Sequence, residues 1–285
     1  MYTGRFAPSP TGPLHMGSLI AAVASWLDAR AAGGRWLVRI EDLDRPRCMP
    51  GAADAMLRTL DRLGLQWDGE VLCQSRRLEH YRAALDKLVP HTYWCGCTRR
   101  EIADSSLGLA ADGARIYPGT RRKGLPPQKA RRALRVKTSA EEIRFRDRVQ
   151  GLQVQVLERD IGDFVLYRAD GLFAYQLAVV VDDAAQGITD VVRGADLLDS
   201  TPRQIHLQQL LALPTPRYLH VPVALDTAGG KLSKQTAAAP IETDPCALRR
   251  ALAFLGQPEA ATLEEAVRGW DPQLISRRRA VALAP

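Results

Sequence analysis

The segment Arg5-Phe6-Ala7-Pro8-Ser9-Pro10-Thr11-Gly12-Pro13-Leu14-His15-Met16-Gly17-Ser18 decides the fold. It lies between a short apolar strand, Tyr2 to Ala7, and a helical pattern from Leu19 to Ala32, so its prolines and glycines mark a sharp strand-to-helix turn. Gly17 has no Cβ to hold a ligand off, and the unpaired N–H groups at the helix start, aided by the helix dipole, favour an anion there. His15 adds a donor beside them. Taken alone, such a turn reads at least as well as a functionless βα loop whose histidine caps the helix or faces solvent.

Outward from the turn, Gly33-Gly34 close the first helix, and Trp36 to Glu41 reads as a buried strand. The polar turn Asp42-Leu43-Asp44-Arg45-Pro46 then leads into a helix from about Gly51 to Leu63. Gln74 to Val89 is a further helical stretch, with Ser75 as its N-cap and Pro90 beyond its end. From His91 to about Gln150 the alternation breaks: Cys95-Gly96-Cys97, a Gly/Ala/Ser-rich loop from Asp104 to Ala114, Pro126-Pro127 and a basic run read as an inserted subdomain. Strands at Phe164–Arg168 and Ile188–Arg193 then alternate with helices at Ala174–Ala185 and from Ser200 to Leu213, and Tyr218–Leu225 follows. The final stretches Cys246–Leu255, Leu263–Arg268 and Leu274–Ala282 read as helices.

The pattern predicts an α/β fold with one parallel, Rossmann-like sheet split in sequence. Residues 1–90 and 161–235 form its halves, 91–160 the insertion, and 236–285 a short helical segment. Ligands of such sheets bind at the carboxyl ends of the strands, where Arg5, Glu41 and Arg193 all fall.

A composition of 46% hydrophobic and 25% charged residues over 285 positions is that of a soluble globular protein with about two domains. There is no amino-terminal apolar h-region, and apolar runs such as Gly171 to Val181 are too short to span a bilayer. A cytoplasmic protein without a membrane partner is expected. Five scattered cysteines argue against a disulfide framework. The net charge is +7, yet Arg121 to Arg148 alone holds eleven Lys/Arg against three Asp/Glu. An excess concentrated in one segment is the footprint of a polyphosphate partner, with a solvated basic face as the plain alternative. Phe145 is the one aromatic in that run, so base stacking is not expected to be its main mode.

After Gly229-Gly230 comes Lys231-Leu232-Ser233-Lys234, two cations on a glycine-bearing loop that could neutralise charge on a departing phosphate. By itself this tetrapeptide means little. Joined to the amino-terminal turn in a split α/β sheet, it becomes half of a two-part ATP site. Here the chain resembles class I aminoacyl-tRNA synthetases of the glutamyl type. Pro8 to Ser18 matches their HIGH region and Lys231 to Gln235 their KMSKS loop, with further likeness at Arg39–Asp44, Tyr93–Cys97, Tyr175–Ala178 and Val192–Asp199. It is more similar still to the truncated paralogues that glutamylate queuosine in tRNA(Asp).

The resemblance implies a class I (HUP-type) catalytic domain with an acceptor- or zinc-type insertion, and ATP with Mg2+ as co-substrate. It implies activation of L-glutamate to glutamyl-adenylate, then transfer to tRNA. Arg5, Phe6, Ala7, Pro8, Ser9, Glu41, Tyr175 and Arg193 would bind glutamate, the two guanidiniums suiting its carboxylates and Glu41 its ammonium. His15, Gly17, Ser18 and Lys234 would bind ATP, and His15, Gly17, Lys231 and Lys234 would carry the catalytic function. No side chain need act as nucleophile, since positioning and charge stabilisation suffice for adenylyl transfer.

Cys95, Cys97 and Tyr117 match the family's zinc ligands, but Arg121 stands where the fourth is usually cysteine, so zinc is expected to be weak or absent. The chain stops some 50 residues after the KMSKS-like loop, which points to a monomer without an anticodon-binding domain. The expected partner is the anticodon stem-loop of tRNA(Asp), docked on Arg121 to Arg148, with Arg277-Arg278-Arg279 as a second basic candidate. The alternatives are a synthetase charging a tRNA 3′ end and a non-catalytic RNA-binding relative.

Overall fold

The computed structural model describes residues 1–226, 229–230, 241 and 246–283. Its first unit runs β1 (Thr3–Phe6), α1 (Met16–Ala31), β2 (Arg35–Ile40), α2 (Ala52–Arg62), β3 (Leu72–Cys73) and α3 (Leu78–Leu88). β1 and β2 pair in parallel with Gly4 opposite Trp36, and β3 adds in parallel on the far side of β2. Helix α1 is buried on nearly all sides because Leu19, Val23 and Leu27 face a core shared with Phe6, Trp36 and Leu219 while Ala247 and Ala251 complete its cover. Gly34 makes the return into β2 possible: a Cβ there would lie 2.5 Å from the Tyr2 carbonyl oxygen.

The middle of the chain forms β4 (Thr92–Cys95), α4 (Arg99–Ser105), β5 (Ala133–Val136), β6 (Glu142–Asp147), β7 (Gly151–Val156), α5 (Leu157–Asp160) and β8 (Val165–Tyr167). Thr98 and Glu101 cap α4 reciprocally. Strand pairing crosses the boundary read at 160. β8 completes a small antiparallel sheet with β5 and β4, whereas the β6–β7 hairpin joins the edge of the main sheet, with Asp147 opposite Tyr218.

The last unit is α6 (Tyr175–Ala185), β9 (Asp190–Gly194), α7 (Thr201–Leu210), β10 (Arg217–Val221), β11 (Val223–Leu225), α8 (Ala247–Phe254), α9 (Leu263–Gly269) and β12 (Ala280–Ala282). β9 and β10 pair in parallel, and the two halves meet where the Thr189 N–H donates to the Thr3 carbonyl at 3.0 Å. β1 and β9, 184 residues apart at their ends Phe6 and Asp190, thus lie side by side where the sheet β1-β2-β3 meets the sheet β7-β6-β10-β9. Strand order reverses there, the place where an open α/β sheet gapes for a ligand.

Two local expectations fail. Leu274 to Ala282 is not a helix: a single 3-10 turn at Pro272–Leu274 gives way to β12, which pairs in parallel with β11. The unpaired edge of β11 supplies the reason, since the Val223 N–H bonds the Arg279 carbonyl at 2.9 Å and the Leu283 N–H bonds Leu225 at 2.9 Å. Ser75 caps no helix either. Its amide and hydroxyl bind the Asp42 carboxylate at 2.8 and 2.6 Å, holding residues 74–76 in a 3-10 turn before α3 begins at Leu78.

Candidate active site

A cleft of about 690 Å³ opens at the carboxyl ends of β1, β2 and β9. Arg5, Phe6, Ala7, Pro8 and Ser9 form one wall, and His15, Gly17 and Ser18 bring the amino end of α1 to it. Glu41, whose amide donates to the Pro8 carbonyl at 3.0 Å, lines the cleft with Tyr175 and Arg193. Every sequence-derived candidate for glutamate and ATP within the described residues therefore lines one cavity; Lys231 and Lys234 lie outside those residues. Gly230, just before them, is held by its amide on the Asp226 carboxylate at 2.8 Å. His15 stands at the N-cap of α1 with Nε2 3.0 Å from the Ser18 hydroxyl.

The floor of the cleft is a balanced charge cluster. Arg5 forks onto Asp183 at 3.1 and 3.3 Å, while Arg39, fully buried, reaches Asp183 at 2.8 Å and Glu41 at 3.5 Å. Burial alone would raise both carboxyls. At Asp183 the two guanidiniums outweigh it and hold the group below its ordinary range; at Glu41 burial wins and the pKa rises. Arg5 thus meets the cleft already partnered, with its charge kept in place by an anion from α6. Sequence reading missed Asp183 as the shared partner of Arg5 and Arg39. The signal was there in part: two adjacent aspartates interrupt the apolar run of α6. Asp182, the other one, is fully buried and ties α3 to α6 through Gln74, Arg77 and the Tyr81 hydroxyl at 2.6–2.8 Å.

Arg193 is oriented on every edge. Its Nη2 donates to the Thr201 hydroxyl at 2.9 Å and the Leu197 carbonyl at 3.3 Å, Nε donates to His220 at 3.0 Å, and Nη1 reaches the Tyr175 hydroxyl at 3.4 Å. Burial raises the pKa of Tyr175, so its hydroxyl stays a neutral donor and acceptor at the cleft wall. The arrangement offers two fixed guanidiniums, one carboxylate and one phenol to a zwitterion carrying a second carboxylate, next to a helix amino end suited to phosphate.

Cys95, Cys97 and Tyr117 do come together, the phenol oxygen 3.4 Å from each sulfur. Their surroundings are cationic. The Arg135 guanidinium lies 4.1 Å from the Tyr117 ring centroid, and Arg121 hydrogen-bonds Cys97. Burial pushes the Tyr117 hydroxyl far up, so it is no phenolate; at Cys95, hydrogen bonding from Tyr117 and the nearby Arg135 outweigh burial and lower the thiol. Two sulfurs, a protonated phenol and two guanidiniums do not make a four-donor zinc cage. The subdomain is knit instead by fully buried Asp163, which binds the Tyr93 hydroxyl and Arg122 Nε at 2.6 Å each and the Thr138 amide at 2.8 Å.

The basic run is not one surface. Arg122 is spent on Asp163, Arg135 on the Asp163 carbonyl at 2.7 Å, Lys129 on Glu101, and Arg148 on Asp28 at 2.5 and 2.9 Å. Lys123, Arg131, Arg132, Lys137 and Arg146 remain exposed. The fold also brings to the run a second aromatic from outside it: Trp94, from β4, carries the Arg131 guanidinium 5.8 Å from its ring centroid.

The model of the family described as tRNA synthetases class I (E and Q), catalytic domain, matches residues 2–264. The glutamyl-Q tRNA(Asp) synthetase of Dechloromonas aromatica is 60% identical, over 94% of this chain and 91% of its own length. That of Verminephrobacter eiseniae is 55% identical over 98% and 97%. Among solved structures, a glutamate-tRNA synthetase from Elizabethkingia anophelis superposes with a TM-score of 0.84 at 24% identity, covering 99% of this chain and 68% of that one, a likeness of fold. The chain belongs to the class I tRNA synthetases of the glutamyl and glutaminyl type, in the group whose curated members are named glutamyl-Q tRNA(Asp) synthetase.

Proposed function

We propose that the chain activates L-glutamate with Mg-ATP and transfers the glutamate to queuosine in the anticodon loop of tRNA(Asp). The observation that carries this is the convergence of Arg5, Glu41, Tyr175 and Arg193 in one cleft with the amino end of α1. The names of the similar proteins support the choice of acceptor. Arg5 and Arg193 hold the two carboxylates of glutamate, Glu41 its ammonium, and Tyr175 and Ser9 add neutral hydrogen bonds. His15, Gly17 and Ser18, with Lys231 and Lys234, take the ATP phosphates. An oxygen of the α-carboxylate then displaces pyrophosphate from the α-phosphorus, and a hydroxyl of queuosine later displaces AMP from the acyl carbon, giving up its proton. Protein groups serve by position and charge throughout.

The test is incubation with ATP, labelled glutamate and tRNA(Asp) carrying or lacking queuosine. Label is expected only on the queuosine-containing tRNA; equal labelling of both would reject the acceptor, and absence of glutamate-dependent ATP–pyrophosphate exchange would reject the enzyme.

The proposed dock for the stem-loop is the exposed remainder of the basic run. Replacing Arg131 and Arg132 together by alanine is expected to weaken tRNA binding and to reduce the slope of log affinity against log salt by about 1 per lost phosphate contact. ATP–pyrophosphate exchange should not change. An unaltered salt slope would place the dock elsewhere.

We also propose that the enzyme works without zinc, since Arg121 and Arg135 supply the positive charge around the sulfurs. Protein purified without added metal should contain far less than one equivalent of zinc by elemental analysis and keep its activity in a chelator. A full equivalent surviving mild chelation would overturn this.

A further inference from the structure

We infer that Asp147 and His220 are positioning residues for Arg193: Asp147 fixes His220 as the Nδ1–H tautomer, leaving Nε2 as the acceptor that aims the guanidinium into the cleft. The inference rests on the glutamate-binding reading of Arg193 and names two groups behind it. Both are fully or almost fully buried, on β6 and β10, and neither lines the cleft.

A donor that can never accept meets one imidazole nitrogen. Arg193 Nε lies 3.0 Å from His220 Nε2, and the Thr201 hydroxyl, which accepts from Arg193 Nη2, lies 3.3 Å from it. A guanidinium has no acceptor, so Nε2 cannot carry the proton. The other nitrogen, Nδ1, sits 2.6 Å from Asp147 Oδ2 and must therefore donate. Burial, the largest influence, pushes the His220 pKa down to about 4, which keeps the ring neutral at pH 7 and avoids placing a second cation against Arg193.

Asp147 is held just as firmly. Its Oδ1 accepts the amides of Val149 at 3.0 Å, Gln150 at 2.8 Å and His220 at 3.2 Å. These amides and the His220 ring outweigh burial and keep the carboxyl below its ordinary range. With one oxygen committed to three N–H groups, only the other can address the histidine. The chain of contacts runs from β6 through β10 to β9 and ends at Tyr175 on the cleft wall, so the direction of Arg193 Nη1 is set from the far side of the sheet. The β6–β7 hairpin gains from this a reason to sit on the edge of the catalytic sheet.

Asp147→Asn tests the tautomer rather than the packing. Its carbonyl oxygen must stay with the three amides, so its NH2 would face Nδ1, drive the proton to Nε2 and point an N–H at the Arg193 Nε–H, as a carboxylate-to-amide change does in catalytic triads. In glutamate-dependent ATP–pyrophosphate exchange, the KM for glutamate is expected to rise about tenfold while the KM for ATP hardly moves, and the melting temperature falls by a few degrees because a buried donor loses its acceptor. In a His220→Gln background, whose amide keeps an acceptor for Arg193 but has no tautomer to flip, adding Asp147→Asn should change the glutamate KM by less than about twofold. Long-range 1H–15N spectra of 15N-histidine-labelled protein should show one buried histidine as the Nδ1–H tautomer, lost in His220→Gln. An Nε2–H or doubly protonated His220 would overturn the inference. So would a variant whose two KM values rise together, or one with no change at all. Wild-type protein lacking glutamate-dependent exchange would instead remove the functional reading, and the spectra would still decide the tautomer.

Discussion

Replacing Asp183 by alanine lowers the stability of the protein by about 3–5 kcal/mol, the loss expected when one partner of a buried ion pair is removed and the other charge is left behind. The size follows from what remains. Arg5 and Arg39 are 3% and 0% exposed, so two guanidiniums would face each other across Glu41 alone. The contrast is the Arg82–Glu79 pair on α3, whose side chains are 61% and 81% exposed. Removing Glu79 should cost less than about 1 kcal/mol. Denaturant unfolding of both variants checks the pair of expectations; equal and small losses would mean the cluster at the cleft floor is not the structural keystone described. The pH dependence has a fixed sign. Burial would raise Asp183, but Arg5 and Arg39 outweigh it, so its folded pKa lies below the unfolded one. Its contribution is complete above about pH 4 and is lost as pH falls through the lower, folded value. The alanine variant should lose that acid-side component.

The second large effect concerns Arg193. Arg193→Ala is expected to lower kcat/KM for glutamate about 10²- to 10³-fold, with the KM for ATP little changed. A charge-assisted hydrogen bond to a carboxylate, here from Nη1, is worth about 1.5–3 kcal/mol, and its loss here also leaves the His220 ring and the Thr201 hydroxyl without their shared partner. Arg193→Lys restores charge but cannot reach Thr201, His220 and the Tyr175 side at once, so it should recover only a small part. Full recovery with lysine would show that charge alone matters there.

Much of the cleft was legible because its residues follow strand ends. The Pro- and Gly-punctuated turn after β1 and the apolar runs of β2 and β9 place Arg5, Glu41 and Arg193 without any knowledge of packing. What was not legible depends on contacts distant in sequence. Asp183 lies 178 residues from Arg5, and Asp147 lies 73 residues from His220. A run of charge in sequence does not say which members are already paired within the fold, as Arg122, Arg135 and Arg148 are. The same blindness hid Trp94, which is an ordinary strand residue until β5 brings Arg131 beside it. β12 was misread because Ala280, Val281 and Ala282 suit a helix or a strand equally, and the open edge of β11 decided the matter.

The two carboxylate-holding guanidiniums and the helix amino end form one half of the account; the nucleotide that receives the glutamate forms the other. Mapping where labelled glutamate becomes attached tests their union most directly. After reaction with ATP and queuosine-containing tRNA(Asp), nuclease digestion should release the label on the anticodon-loop fragment and leave the 3′-terminal adenosine unlabelled. Label on that adenosine would contradict the account.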